Sequence, residues 1–206
     1  MAAALTEKGR AVRARIVEET AHQILAAGIG GTTLDSVRAA TLTSKSQLFH
    51  YFPGGKAELV REVALWDSQQ LGAAQEPWIH DLGTWASWDG WRAALEQYYF
   101  GLGRWACPIG SLASEAVNGD AELAAAISTL IAEWTAHLER GVRRMQDAGE
   151  MRADAEPRRL AAALLAAVQG GLLLAQIERA SWPLEAAIDN AFAGLTALRP
   201  VASTPA

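Results

Sequence analysis

The sequence predicts an all-α protein of about nine helices, a small N-terminal three-helix domain followed by a larger helical one. Three observations carry this. Apolar residues recur at intervals of three and four along nearly the whole chain. No stretch alternates apolar and polar residues long enough to make a strand. Glycine and proline clusters at 28–31, 53–55 and 77–83 divide the chain into helix-length pieces. At 206 residues, half of them apolar, the chain suits one large domain or two small ones with a real core.

The first helix is expected from about Thr6 to Ala27, with Ile16, Ala21, Ile24 and Leu25 on one side and Gly28, Gly30 and Gly31 ending it. Thr32 or Thr33 offers an N-cap for a short helix to about Ala40. A third short helix starts near Ser44 or Lys45. Pro53 stops it, because the residue before proline is pushed out of the helical region. A fourth helix runs from about Lys56 to 72 on a Leu59, Val63, Trp66 stripe. Residues 76–90 read as a tryptophan-rich connection. Helices resume at about 88–104, 110–118 and 120–148, the last with an apolar stripe from Leu123 to Met145. After a polar break, helices at 158–179 and 184–198 complete the chain.

The net charge of -5 argues against bulk binding to nucleic acid or anionic membranes, yet it is uneven. Residues 1–60 carry seven Lys and Arg against five Asp and Glu, a net +2, and the remainder carries -7. A mildly basic N-terminal segment on an acidic body suggests two tasks in one chain. The single cysteine, Cys107, excludes an internal disulfide framework. Charges at Glu7, Lys8, Arg10, Arg13 and Arg15 come too early for a signal peptide, so a cytoplasmic protein is expected. The uncharged stretch 160–177 is short for a membrane span and rich in Ala and Gly. It reads as a helix buried within its domain and against a partner chain.

Enzyme motifs are weak. The glycines of "AGIGGTT" and "GLGRW" follow no strand and miss the dinucleotide spacing. His22, His50, His80 and His137 are far apart in sequence, and nothing in the sequence places a base beside Cys107. No catalytic residue, metal or cofactor is expected. A helical enzyme or a scaffold without DNA binding stays as the alternative.

The segment 33–52 is more informative. Two short helices joined by a few residues cannot bury much alone, and the first helix supplies their support. This is the helix-turn-helix plan, whose second helix enters the DNA major groove. Thr43, Ser44, Lys45, Ser46 and Gln47 are short or flexible hydrogen-bonders at its N-terminal end. Leu48 and Phe52, four apart, face inward, and Phe49 joins them in the core. His50 and Tyr51 then point at the sugar-phosphate rim. Lys56 opens the next helix, where free N–H groups favour a phosphate.

"TTLDSVRAATLTSKSQLFHYFPGGKAELV", 32–60, resembles the DNA-binding domain of the TetR family of transcriptional repressors, and "CPIGSLASE", 107–115, resembles a drug- and flavonoid-responsive branch of it. The resemblance implies a homodimer that binds a palindromic operator and releases it when a small hydrophobic or aromatic effector enters the larger domain. It places Lys45, Ser46, Gln47 and His50 near bases, Tyr51 and Lys56 at phosphates, and Thr33 at an N-cap that touches a phosphate. The implied domains are 1–55 for DNA and 56–206 for effector and dimerisation. This chain departs from the family pattern at several points. Arg38 stands where a small residue is usual, Leu42 at the usual turn glycine, Thr43 at a valine and Phe49 at a tyrosine. The turn to Lys56 is one residue longer.

For the effector site, Trp66, Tyr98, Trp105, Cys107, Trp134 and His137 are candidates, because drug-like pockets are apolar and aromatic with few polar groups. Each is also a candidate for plain core packing. The dimer interface is expected at 158–179 and 184–198, two helices from each subunit making a four-helix bundle.

Overall fold

The computed structural model describes residues 5–100, 107–116 and 120–200. Among these residues the chain is all-α, with nine α-helices and no strand. They are α1 (Glu7–Gly31), α2 (Leu34–Thr41), α3 (Lys45–Tyr51), α4 (Gly55–Ala74), α5 (Trp85–Phe100), α6 (Pro108–Ala116), α7 (Ala121–Asp147), α8 (Pro157–Glu178) and α9 (Trp182–Thr196). A 3-10 turn covers Trp78–His80. The residues group into two compact units. One runs to Gln70 and includes Pro108–Ser128; the other comprises Leu71–Cys107 and Thr129 onward.

In the first unit, α1 is capped by Thr6, whose hydroxyl accepts from Gly9 N at 3.1 Å. Its regular part ends at Gly28, which takes φ 73 and ψ 172, although helical turns continue to Gly31. Thr32 closes this break by donating from both its backbone N–H and its hydroxyl to Gly28 O. Ile16, Val17, Ala21 and Ile24 of α1 are buried with Val37 of α2 and Leu59, Val60 and Val63 of α4. Leu25, expected on that face, lies exposed.

Both short helices begin with reciprocal capping boxes. Thr33 pairs with Ser36 at the start of α2, and Ser44 with Gln47 at the start of α3. Between them, Leu42 ends α2 in the left-handed region at φ 52, ψ 38. A residue with a Cβ there costs about 1–2 kcal/mol.

In the second unit, Gln75 is 2% exposed and sits at the centre of a polar knot. Its Oε1 accepts from the indole N–H of Trp91 at 2.6 Å and of Trp134 at 3.1 Å. Its amide nitrogen donates to Leu71 O at 2.9 Å. Trp91 stacks on Phe192 of α9, with ring centroids 6.2 Å apart, and Trp88 meets both rings edge-on. Arg92 lies over the outer side of Phe192 and pairs with Glu96 and Asp189.

Helices α8 and α9 pack along their length through Leu164, Leu165, Val168, Leu172 and Ala175 against Leu184, Ile188 and Phe192. The approach is so close that a Cβ on Gly171 would lie 2.8 Å from Leu184 Cα. By length and composition α8 could cross a membrane, with a mean hydropathy of 1.9 over its most apolar window. The α9 partnership explains its inner face, while Leu173, Leu174 and Ile177 are exposed, as is Trp182 at the start of α9.

Helix α5 begins three residues before its expected start because Thr84 and Ser87 form a further capping box. Helix α9 starts two residues early because Pro183 fits its first turn. Replacing Gln75 with Leu strands two buried indole N–H groups, each costing about 1–3 kcal/mol. A loss of about 3 kcal/mol is expected from urea denaturation. A change below about 1 kcal/mol would show that the indoles find other acceptors.

Candidate nucleic-acid interface

The α3 surface is built by opposing the two sides of a seven-residue helix. Leu48 and Phe52 are both 0% exposed. Arg13 of α1 lies over the Phe52 ring, 5.0 Å from its centroid, and pairs with Glu62 at 2.7 Å. This packing turns Ser44, Lys45, Ser46, Gln47 and His50 outward, and all are exposed. Ser44 Oγ accepts from Gln47 N at 3.1 Å, and Gln47 Oε1 accepts from Ser44 N at 3.0 Å. The side chain expected to read a base therefore also caps the helix.

Two expectations are corrected. Thr43, expected among the outward hydrogen-bonders, is 6% exposed. The left-handed turn at Leu42 points it inward, and its hydroxyl lies 2.8 Å from that of Thr41. Phe49, expected in the core, is 40% exposed, because Leu48 and Phe52 occupy the single inward stripe of so short a helix.

Thr33 is the exposed N-cap of α2, as expected, and is bound to Ser36. Tyr51 is half-buried and meets His50 edge-on at 5.1 Å. Its hydroxyl sits over the first turn of α1, 3.6 Å from where a Cβ on Gly9 would stand. Lys56 is half-buried, and its Nζ donates to Ile29 O at 2.6 Å. That contact ties the glycine-rich end of α1 to the start of α4 and leaves two ammonium hydrogens for another acceptor. Arg38 pairs with Asp35 one turn away on α2.

Arg15, one of the early charges of the sequence, has a structural task. Its guanidinium donates to Thr41 O at 3.1 Å, closing the last turn of α2 across 26 residues. No local motif signals a contact of that separation.

The effector candidates are distributed. Trp66 is half-buried in the first unit and lines a cleft of about 480 Å³ with Leu5, Arg13, Val17 and Leu65. A second cavity, of about 360 Å³, is lined by Ile29, Lys56, Val60, Ala116, Asp120 and Leu123. In the second unit Tyr98 is buried edge-on to Tyr99. Trp134 is held by Gln75, and Cys107 Sγ accepts from Gln169 Nε2 at 3.3 Å. Trp105 lies outside the described residues.

The histidines that looked remote in sequence are not all remote in space. His80 and His137 have ring centroids 4.9 Å apart. Glu76 holds His80 at 2.6 Å, and Arg140 donates to His137 Nδ1 at 2.8 Å. Burial first, then the charges of Arg140 and His80, hold the His137 pKa below its usual 6.5, against the opposing pull of Glu133 and Glu76. Among the described residues no group of three or more His, Cys, Asp or Glu is placed to hold a metal.

Residues 85–191, just over half of the 206-residue chain, match the family model described as "Tetracyclin repressor-like, C-terminal domain". The chain belongs to the TetR family. It is a TetR-family transcriptional regulator, and solved regulators of that family share its fold. One from Chloroflexus aurantiacus is 21% identical, with 96% of this chain and all of that chain covered and a TM-score of 0.82. One from Cytophaga hutchinsonii is 16% identical over 96% of this chain and 100% of that one, at 0.83. The regulatory protein TetR from Rhodobacter sphaeroides is 20% identical over 87% of this chain and 96% of that one, at 0.79. No curated protein sequence matches the chain.

The lowered His137 pKa sets a pH dependence for this TetR-family chain. The unfolded state binds this proton more readily, so protonation works against folding as pH falls through and below about 6.5 and has no effect above it. The difference in urea midpoint between wild type and His137→Asn should be constant above neutrality, with the variant losing less on acidification. Equal acid loss in both would remove His137 as the cause.

Proposed function

We propose that the protein is a ligand-responsive repressor that binds a palindromic operator as a homodimer. The observation that carries this is the two-sided α3: Leu48 and Phe52 sealed inside, and Ser44, Lys45, Ser46, Gln47 and His50 exposed at and beyond its N-cap. That is the arrangement in which a reading helix presents its N-terminal residues to base edges. Its net +2 setting supplies the local attraction that the acidic body does not. Tyr51, Lys56 and Thr33 serve the phosphates on either side, positioning α3 without reading sequence.

Dimerisation through α8 and α9 is supported by the exposed apolar run Leu173, Leu174, Ile177 and Trp182 beside an inner face already filled. The effector is a small, hydrophobic or aromatic molecule, with Tyr98, Cys107, Trp134 and His137 of the second unit as the candidate residues for it. Trp134 contributes its ring only, because Gln75 holds its N–H. The effector acts by binding more tightly to a dimer whose two α3 helices miss the spacing of about 34–36 Å between successive major grooves. The protein acts in the cytoplasm, where its operator lies.

The decisive experiment titrates a labelled duplex carrying the inverted repeat that flanks the gene, at several salt concentrations, with and without aromatic effectors. Salt-dependent binding weakened by an effector is expected. Binding of the effector with no loss of operator affinity would overturn the release mechanism.

Two variants test the assignments. Lys56→Ala should weaken all sequences alike and lower the salt slope by about one. Gln47→Glu keeps the capping acceptor but cannot donate to adenine N7. It should cost roughly 1–3 kcal/mol at one base pair with little change in stability. The new charge weakens every sequence alike, so the absence of any excess loss at one base pair would end the base-reading role of Gln47.

A further inference from the structure

Leu42 breaks two local rules at once. It holds a left-handed backbone that glycine adopts freely, and its side chain is 92% exposed, against 70% for Ile177, the next most exposed large apolar residue described. Among the described residues the other left-handed one with a side chain is Arg179, which ends α8 with a charged group suited to water. A left-handed helix cap normally folds an apolar neighbour back onto its helix, and Leu42 does not. Its side chain adds nothing to the folded chain that glycine or asparagine would lack. Strain combined with unused apolar surface marks a position kept for contact with something else.

The place of Leu42 identifies that contact. It stands two residues before Ser44, the N-cap of α3, and Thr43 between them is turned inward. Leu42 is exposed, as are Ser44, Lys45, Ser46 and Gln47, and so sets one apolar group two residues before the helix proposed to enter the groove. The turn is held from behind, by Arg15 on Thr41 O at 3.1 Å and by the Thr41–Thr43 hydroxyl pair at 2.8 Å. Leu42 is thus presented on a braced turn. The major groove displays one apolar group, the C5 methyl of thymine.

We infer that Leu42 reads a thymine methyl at the edge of each operator half-site and is a specificity-determining residue. This rests on the DNA-binding reading above. The step is non-covalent, and desolvation of the leucine and the methyl drives it.

The test replaces each operator thymine in turn with deoxyuridine, which lacks only the methyl, and measures affinity for wild type, Leu42→Asn and Leu42→Met. Wild type should weaken several-fold at one symmetric pair of positions. Leu42→Asn should bind the intact operator about tenfold more weakly, be indifferent to deoxyuridine there, and melt no lower than wild type. Leu42→Met should keep the sensitivity. Wild type indifferent to every deoxyuridine, or Leu42→Asn as sensitive as wild type at that position, would overturn the proposal while leaving operator binding intact. Absence of any salt-dependent operator complex with wild type would overturn both readings together.

Discussion

The first unit depends on one constraint: α3 is seven residues long and cannot hold itself in helical form. Its shape comes from two buried anchors, Leu48 and Phe52, and from what presses on them. Arg13 covers the Phe52 ring while paired with Glu62, so one guanidinium joins α1, α3 and α4. The capping boxes set where each short helix starts, and Arg15 and the threonine pair set the turn between them. Everything outward on α3 is outward because those two anchors are inward.

This division of labour was largely legible in the sequence. The four-residue spacing of Leu48 and Phe52, the Thr33 and Ser44 caps, and the stop at Pro53 are local signals, and local signals survive folding. Thr43 differs from its expectation because a hydroxyl beside other hydroxyls looks exposed until the turn is known. With Leu42 left-handed, the chain rotates and Thr43 falls inside. Leu42 stands where the resemblance places a glycine, and it takes the left-handed backbone that glycine adopts freely. Arg15 on Thr41 and the meeting of His80 with His137 were invisible because each joins residues far apart in sequence. The early start of α5 at a Thr84–Ser87 box was local, but the surrounding tryptophans obscured it.

The tryptophans suggested a pocket, and the structure shows how many of them are core. Trp88 and Trp91 are sealed against Phe192, and Trp134 is bound to Gln75. Among the described residues the indole N–H of Trp88 meets no acceptor, a polar group left inside an otherwise satisfied cluster. Aromatic count alone cannot separate a lined cavity from a filled one. The partner of each N–H does so.

Gln75 carries this furthest. One amide oxygen in the turn after α4 serves indoles on α5 and α7, so none of the three residues has freedom of its own. If Gln75 alone drifts to an apolar residue, two donors are stranded. If one tryptophan alone becomes phenylalanine, the remaining bond persists but the packing opens. Among descendants of this sequence, Gln75, Trp91 and Trp134 should therefore be inherited as a unit or replaced as one. The rest of the second unit can diversify around them.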